Sequence, residues 1–86
     1  MSKKRLYLIL KKAPFDAILN GTKKQEFRDF TKYYADRLYD DENEPIQFDS
    51  VLFRNGYSKE ARSFEIEFIS TEIGKETFII NLGDIL

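Results

Sequence analysis

Four charged side chains fall within six residues: Lys23, Lys24, Glu26 and Arg28. Lysine and arginine at this density can pair with phosphate oxygens, arginine through its planar two-pronged head. A carboxylate among them can accept a base amino group or hold the neighbouring arginine in place. Lys11 and Lys12 add two cations upstream, and Tyr33, Tyr34 and Tyr57 supply rings that can stack on unpaired bases. The other chemistry open to this stretch is hydrolytic, with Lys23 as a base and Glu26 orienting a water. The plainer uses are an ordinary surface ion pair for Glu26 and Arg28, and half-buried helix positions for Tyr33 and Tyr34.

Composition narrows the choice. The 86-residue chain has no histidine and no cysteine. It therefore lacks the commonest general base, the commonest metal ligand, thiolate metal sites and disulfides. No metal site and no cofactor are expected. The acidic run Asp40–Glu44 lacks the ligand spacing of a calcium loop. Glu65 and Glu67 alternate with apolar residues and read as a solvated strand face. Apolar runs are too short to span a bilayer. The basic-then-apolar start is followed at once by Lys11 and Lys12, unlike a secretory signal. A cytoplasmic protein with no membrane attachment is the expectation. Net charge is −1, yet residues 1–32 carry nine Lys/Arg against three Asp/Glu, and residues 33–86 carry five against twelve. Such a split can give one positive face that attracts an anion, or cancel if the halves interleave.

The elements that must position these residues can be read in order. Leu6–Leu10 is a short apolar run and predicts a strand buried on both faces. Pro14 fits the first helical position, with Asp16 in the first turn and Phe15, Ile18 and Leu19 facing the core. Asn20-Gly21 ends that helix. Lys23–Asp29 predicts a strand with Gln25 and Phe27 on one face and Lys24, Glu26 and Arg28 on the other, opposite Lys23. Phe30–Tyr39 predicts a second helix capped by Thr31, with Phe30, Tyr34 and Leu38 on one side. Asp40–Pro45 is a loop. Phe48–Arg54, Arg62–Thr71 and Glu76–Leu82 predict three further strands, separated by turns at Asn55-Gly56 and Gly74. The apolar end, Ile85-Leu86, predicts a docked C-terminus. One domain, residues 1–86, of α+β class follows: about five strands in a small, partly closed β-barrel with two short helices.

The pattern P-F-x-x-I-L-x-G-x-K followed by x-x-E-F-R, at Pro14–Arg28, resembles the ASCH superfamily, whose fold is PUA-like. Tyr33-Tyr34 with Arg37-Leu38, and Val51-x-Phe53-x-Asn55-Gly56-Tyr57, are similar to elements of its compact bacterial and phage-borne members. The resemblance covers most of residues 6–86. It implies a barrel with a ligand cleft beside the Gly21-x-Lys23 turn, and binding of RNA or a nucleoside or nucleotide. Gly21, Arg37 and Asn55 then join Lys11, Lys12, Lys23, Lys24, Glu26, Arg28, Tyr33, Tyr34 and Tyr57 as ligand-binding candidates. One branch of that superfamily hydrolyses N4-acetylcytidine with the lysine of this motif, a Thr and a later Glu. Lys23 matches the lysine, and Glu26 stands in the Thr position. Lys23 and Glu26 are thus the catalytic candidates if the chain is an enzyme. A protein-interaction module using the acidic two-thirds is the third expectation.

Overall fold

The computed structural model describes residues 4–86. Five strands and two helices follow one another: β1 (Arg5–Ile9), α1 (Lys12–Leu19), β2 (Gln25–Asp29), α2 (Lys32–Leu38), β3 (Ser50–Arg54), β4 (Ser63–Ile73) and β5 (Thr77–Ile85). The strands form one curled sheet, a half-barrel, in the order β1-β3-β4-β5-β2. β1 runs parallel to β3, and the remaining pairs are antiparallel. Among the described residues no ladder joins β1 to β2, so the sheet keeps two edges. Among the described residues no helix is long and apolar enough to cross a membrane.

Period-two alternation sets the inner face. Leu6 and Leu8 of β1 lie beside Val51 and Phe53 of β3, which in turn face Ile66 and Phe64 of β4. Phe78, Ile80 and Leu82 of β5 complete the buried layer. α1 closes over it with Phe15 and Ile18, and α2 with Leu38. Phe15 meets Phe64 edge-on at 5.0 Å, and Phe48 meets Phe68 at 5.2 Å. Rings therefore fill a core that a chain this short cannot otherwise make large.

Several expectations are corrected. β1 is not buried on both faces: Tyr7 is 54% exposed, because β1 is an edge strand whose outer face is only partly covered. α1 starts at Lys12, so Pro14 is the third helical residue. It still lies in the first turn, where an N–H has no intrahelical acceptor. Asp16 is beyond that turn and instead bonds Lys12 and Arg62, each at 2.7 Å. Leu19 and Phe30 are largely exposed, one at the end of α1 and the other just outside α2. β4 and β5 run farther than expected and leave a tighter turn at Gly74. The C-terminal backbone docks, with the Leu86 N–H on Glu65 O at 2.9 Å, but the Leu86 side chain points to solvent. Thr31 caps α2 as expected, accepting from Tyr34 N–H at 3.3 Å.

Candidate functional site

The edge of β1 is where the site begins. In a parallel pair, a residue turns both backbone polar groups towards the same neighbour. Leu10 N–H bonds Arg54 O, and Asp49 N–H bonds Lys4 O, so the even residues of β1 face β3. The carbonyls of Tyr7 and Ile9 therefore face the open edge, where no strand satisfies them.

Two arginines fill that place. Arg28, on β2, reaches across the mouth of the half-barrel and donates Nη2 to Ile9 O at 2.9 Å. Arg37, in the last turn of α2, donates Nη2 to Tyr7 O at 2.8 Å. Each also leans on a tyrosine of α2: Arg28 Nη1 on the Tyr34 hydroxyl at 2.9 Å, and Arg37 Nη1 on the Tyr33 hydroxyl at 3.3 Å. Each guanidinium carbon lies 5.6 Å from the centroid of that same ring. The two tyrosines meet edge-to-face at 4.9 Å. Arg28, Tyr34, Tyr33 and Arg37 thus form one continuous chain of contacts.

Glu26 stands behind Arg28. It is 5% exposed and accepts from Arg28 Nη2 at 2.8 Å, from Lys23 Nζ at 3.4 Å and from Phe27 N–H at 3.1 Å. A carboxylate this buried is tolerated because its oxygens are bonded. This is not the surface ion pair that the spacing allowed. Lys23 also meets Glu26 despite its opposite parity, because residues 23–24 precede the pleated part of β2. The apolar Phe27, in contrast, faces outwards.

A cleft of about 820 Å³ opens along this seam, between the β1–α1 junction, α2 and the β3–β4 turn. Five cations line it: Lys11, Lys12, Arg28, Arg37 and Arg54. Tyr7, Tyr33, Tyr34 and Tyr57 supply the aromatic surface, and no carboxylate lines it. Lys11, Arg37 and Arg54 have no carboxylate partner among the described residues. Three side-chain donors of lining residues are buried without a hydrogen-bond partner: Arg28 Nε, Arg37 Nε and Asn55 Nδ2. An unpaired buried donor costs about 1–3 kcal/mol, so the seam holds unused hydrogen-bonding capacity.

Of the residues singled out from the sequence, Lys11, Lys12, Arg28, Tyr33, Tyr34, Arg37, Asn55 and Tyr57 come together on this cleft. Gly21, Lys23, Lys24 and Glu26 do not line it. Gly21 takes φ +85° in the exposed turn after α1. Lys24 is exposed, with its carbonyl accepting from Leu82 N–H at 3.0 Å. Tyr7 and Arg54 were missed. Their signal was parity, since each sits on its strand opposite the apolar set, and Ile9 pairs directly with Arg54. Among the described residues, no group of three or more acidic side chains is placed to hold a metal. The chain was compared with family models, curated proteins and solved structures, and none matches it.

Proposed function

We propose that the chain binds a nucleic acid or nucleotide, single-stranded RNA foremost, in the Arg28–Arg37 cleft, as a compact ASCH-type domain of PUA-like fold. One observation carries this reading: five cations and four tyrosines share a cleft with no carboxylate, in a chain whose net charge is −1. Cations pair with phosphates and rings stack on unpaired bases, and neither interaction requires a particular sequence. The half-barrel with two helices is compatible with the PUA-like expectation, and the Gly21-x-Lys23-x-x-Glu26-x-Arg28 motif supports the ASCH one.

The hydrolytic reading rests on the 3.4 Å approach of Lys23 to Glu26. That carboxylate is already held by Arg28, and the pair lies outside the cleft lining. The nearby Thr22 hydroxyl has its one proton between two acceptors, Asn20 Oδ1 at 2.8 Å and Ala17 O at 3.1 Å. The arrangement serves better as a brace for Arg28 than as a nucleophile with its base.

The test is a ¹⁵N–¹H NMR titration with a short single-stranded RNA at two salt concentrations, with N4-acetylcytidine as a second ligand. RNA shifts are expected at Lys11–Lys12, Arg28, Tyr33–Arg37 and Asn55–Tyr57, weakening as salt rises. Arg37→Ala should weaken binding roughly tenfold, or ~1.4 kcal/mol, and reduce the salt slope by about one. N4-acetylcytidine should yield no cytidine. Silent amides around the cleft would remove the binding assignment, and steady release of cytidine would replace it with the hydrolase.

A further inference from the structure

We infer that Arg28 and Arg37 form a clamp for one terminal phosphate, so that the ligand is a nucleotide bearing a phosphomonoester, free or at the end of a strand. This inference rests on the binding reading above and narrows it.

The strand sets the spacing. Tyr7 and Ile9 are alternate residues of β1 whose carbonyls share the open edge, about 6.6 Å apart. Each carbonyl fixes one guanidinium, at 2.8 Å for Arg37 and 2.9 Å for Arg28. Two cations are therefore held on neighbouring neutral carbonyls, with Arg28 also braced by Glu26. Guanidiniums anchored on alternate carbonyls of one strand can each direct a charge-assisted bond at oxygens of the same phosphate.

Neither arginine is fully used. The Nε of each is buried without a partner. Their Nη1 groups rest on the Tyr33 and Tyr34 hydroxyls, neutral acceptors that an anionic oxygen outcompetes. Each of those hydroxyls accepts from an arginine and keeps its own O–H to donate. The two Nη1 groups and the two hydroxyls thus offer a phosphate four donor groups without moving the backbone.

Charge selects the kind of phosphate. Behind the clamp, Lys23 and Arg28 share the single carboxylate of Glu26, while Arg37 faces none among the described residues. Three cations against one carboxylate match a phosphomonoester, which carries about −1.5 to −2 at neutral pH, better than a singly charged diester. Tyr33, mostly exposed beside Arg37, leaves its ring available to the attached base.

The experiment measures affinities for one uridine-rich eight-nucleotide strand in three forms: 5′-phosphorylated, 3′-phosphorylated and hydroxyl-ended. Uridine monophosphate, uridine and inorganic phosphate are the small probes. A phosphorylated strand is expected to bind at least tenfold tighter than the hydroxyl-ended one, or uridine monophosphate at least tenfold tighter than both uridine and phosphate. The first result assigns a strand end and the second a free nucleotide. Arg37→Gln, chosen because Arg28 also holds the seam, should abolish the preference while its amide spectrum stays folded. Equal affinity for all three strands, with no preference for the monophosphate, overturns the clamp and leaves RNA binding standing. A preference that survives in Arg37→Gln overturns the residue assignment. Phosphate binding as tightly as the monophosphate, with no preference among the strands, overturns the nucleotide class. Failure of every strand and nucleotide to bind overturns both the clamp and the binding reading.

Discussion

Glu26 is a carboxylate in a place where a small domain usually puts an apolar side chain. It sits opposite Ile80, which is fully buried, and Arg28 sits opposite the buried Phe78. Removing one partner of a buried pair leaves the other charge uncompensated. Glu26→Ala should therefore cost about 3 kcal/mol, and Glu26→Gln, which keeps an acceptor, roughly half of that. Urea unfolding measures both, and an unchanged midpoint for Glu26→Ala would refute the brace. Removing Lys32 from its exposed pair with Asp36 should leave the midpoint unmoved. The sequence made the shared face of Glu26 and Arg28 legible, because strand parity is fixed at two residues. It did not say which face is inside. Hydrophobicity favours Phe27, but β2 is an edge strand, and its inward Arg28 finds the Ile9 carbonyl of β1 and the hydroxyl of Tyr34. Lys23 was misjudged for a related reason: parity applies only where the backbone is pleated.

At the scale of elements, α2 supplies three polar side chains to the cleft from two turns of helix. Seven residues present Tyr33, Tyr34 and Arg37 to the cleft and Leu38 to the core. A helix this short is not stable alone, so its cap and its packing hold it. Thr31→Ala removes the hydroxyl that accepts from Tyr34 N–H and should cost about 1 kcal/mol. The same variant should weaken ligand binding, because the tyrosines ride on the first turn. Unchanged denaturation and unchanged affinity would show that packing alone suffices. All seven elements could be read from apolar period and punctuation: Pro14 near a helix start, Asn20-Gly21 at its end, Asn55-Gly56 between strands. Their ends shifted by a few residues, because the turn at Gly74 closes more tightly than its sequence demands. The partner of β2 was not legible. Gln25 pairs with Asn81, and no local signal spans that distance.

For the whole molecule, side chains do what a fifth backbone ladder, between β1 and β2, would do in a closed barrel. Strand number was legible from the sequence, but closure was not, since it depends on whether two edges meet. Elsewhere the fold is tied by exposed bridges, among them those that join Asp16 to Lys12 and Arg62. The hydrogen bond from Lys12, then that from Arg62, hold the Asp16 carboxyl below the usual aspartate range. A depressed carboxyl adds stability that is complete above the ordinary value, about pH 4, and lost as pH falls through the folded value. Melting curves of wild type and Asp16→Asn should thus differ at neutral pH and converge in acid. Curves that stay equally separated down to pH 2 would assign the difference to packing.

The strand order also dictates when the cleft can exist. β3, β4 and β5 form a meander of near neighbours, whereas β1 pairs with the later β3, and β2 with the still later β5. Pairing at such separation is slow, and it raises the contact order of the fold. A nascent chain that has not reached residue 77 has made Arg28, Arg37 and both tyrosines, yet has no strand on which to set Arg28. The meander needs only near neighbours, whereas the Arg28 contact with Ile9 O needs β5 in place beside β2. The cleft is therefore complete only where the most distant pairings of the chain have formed.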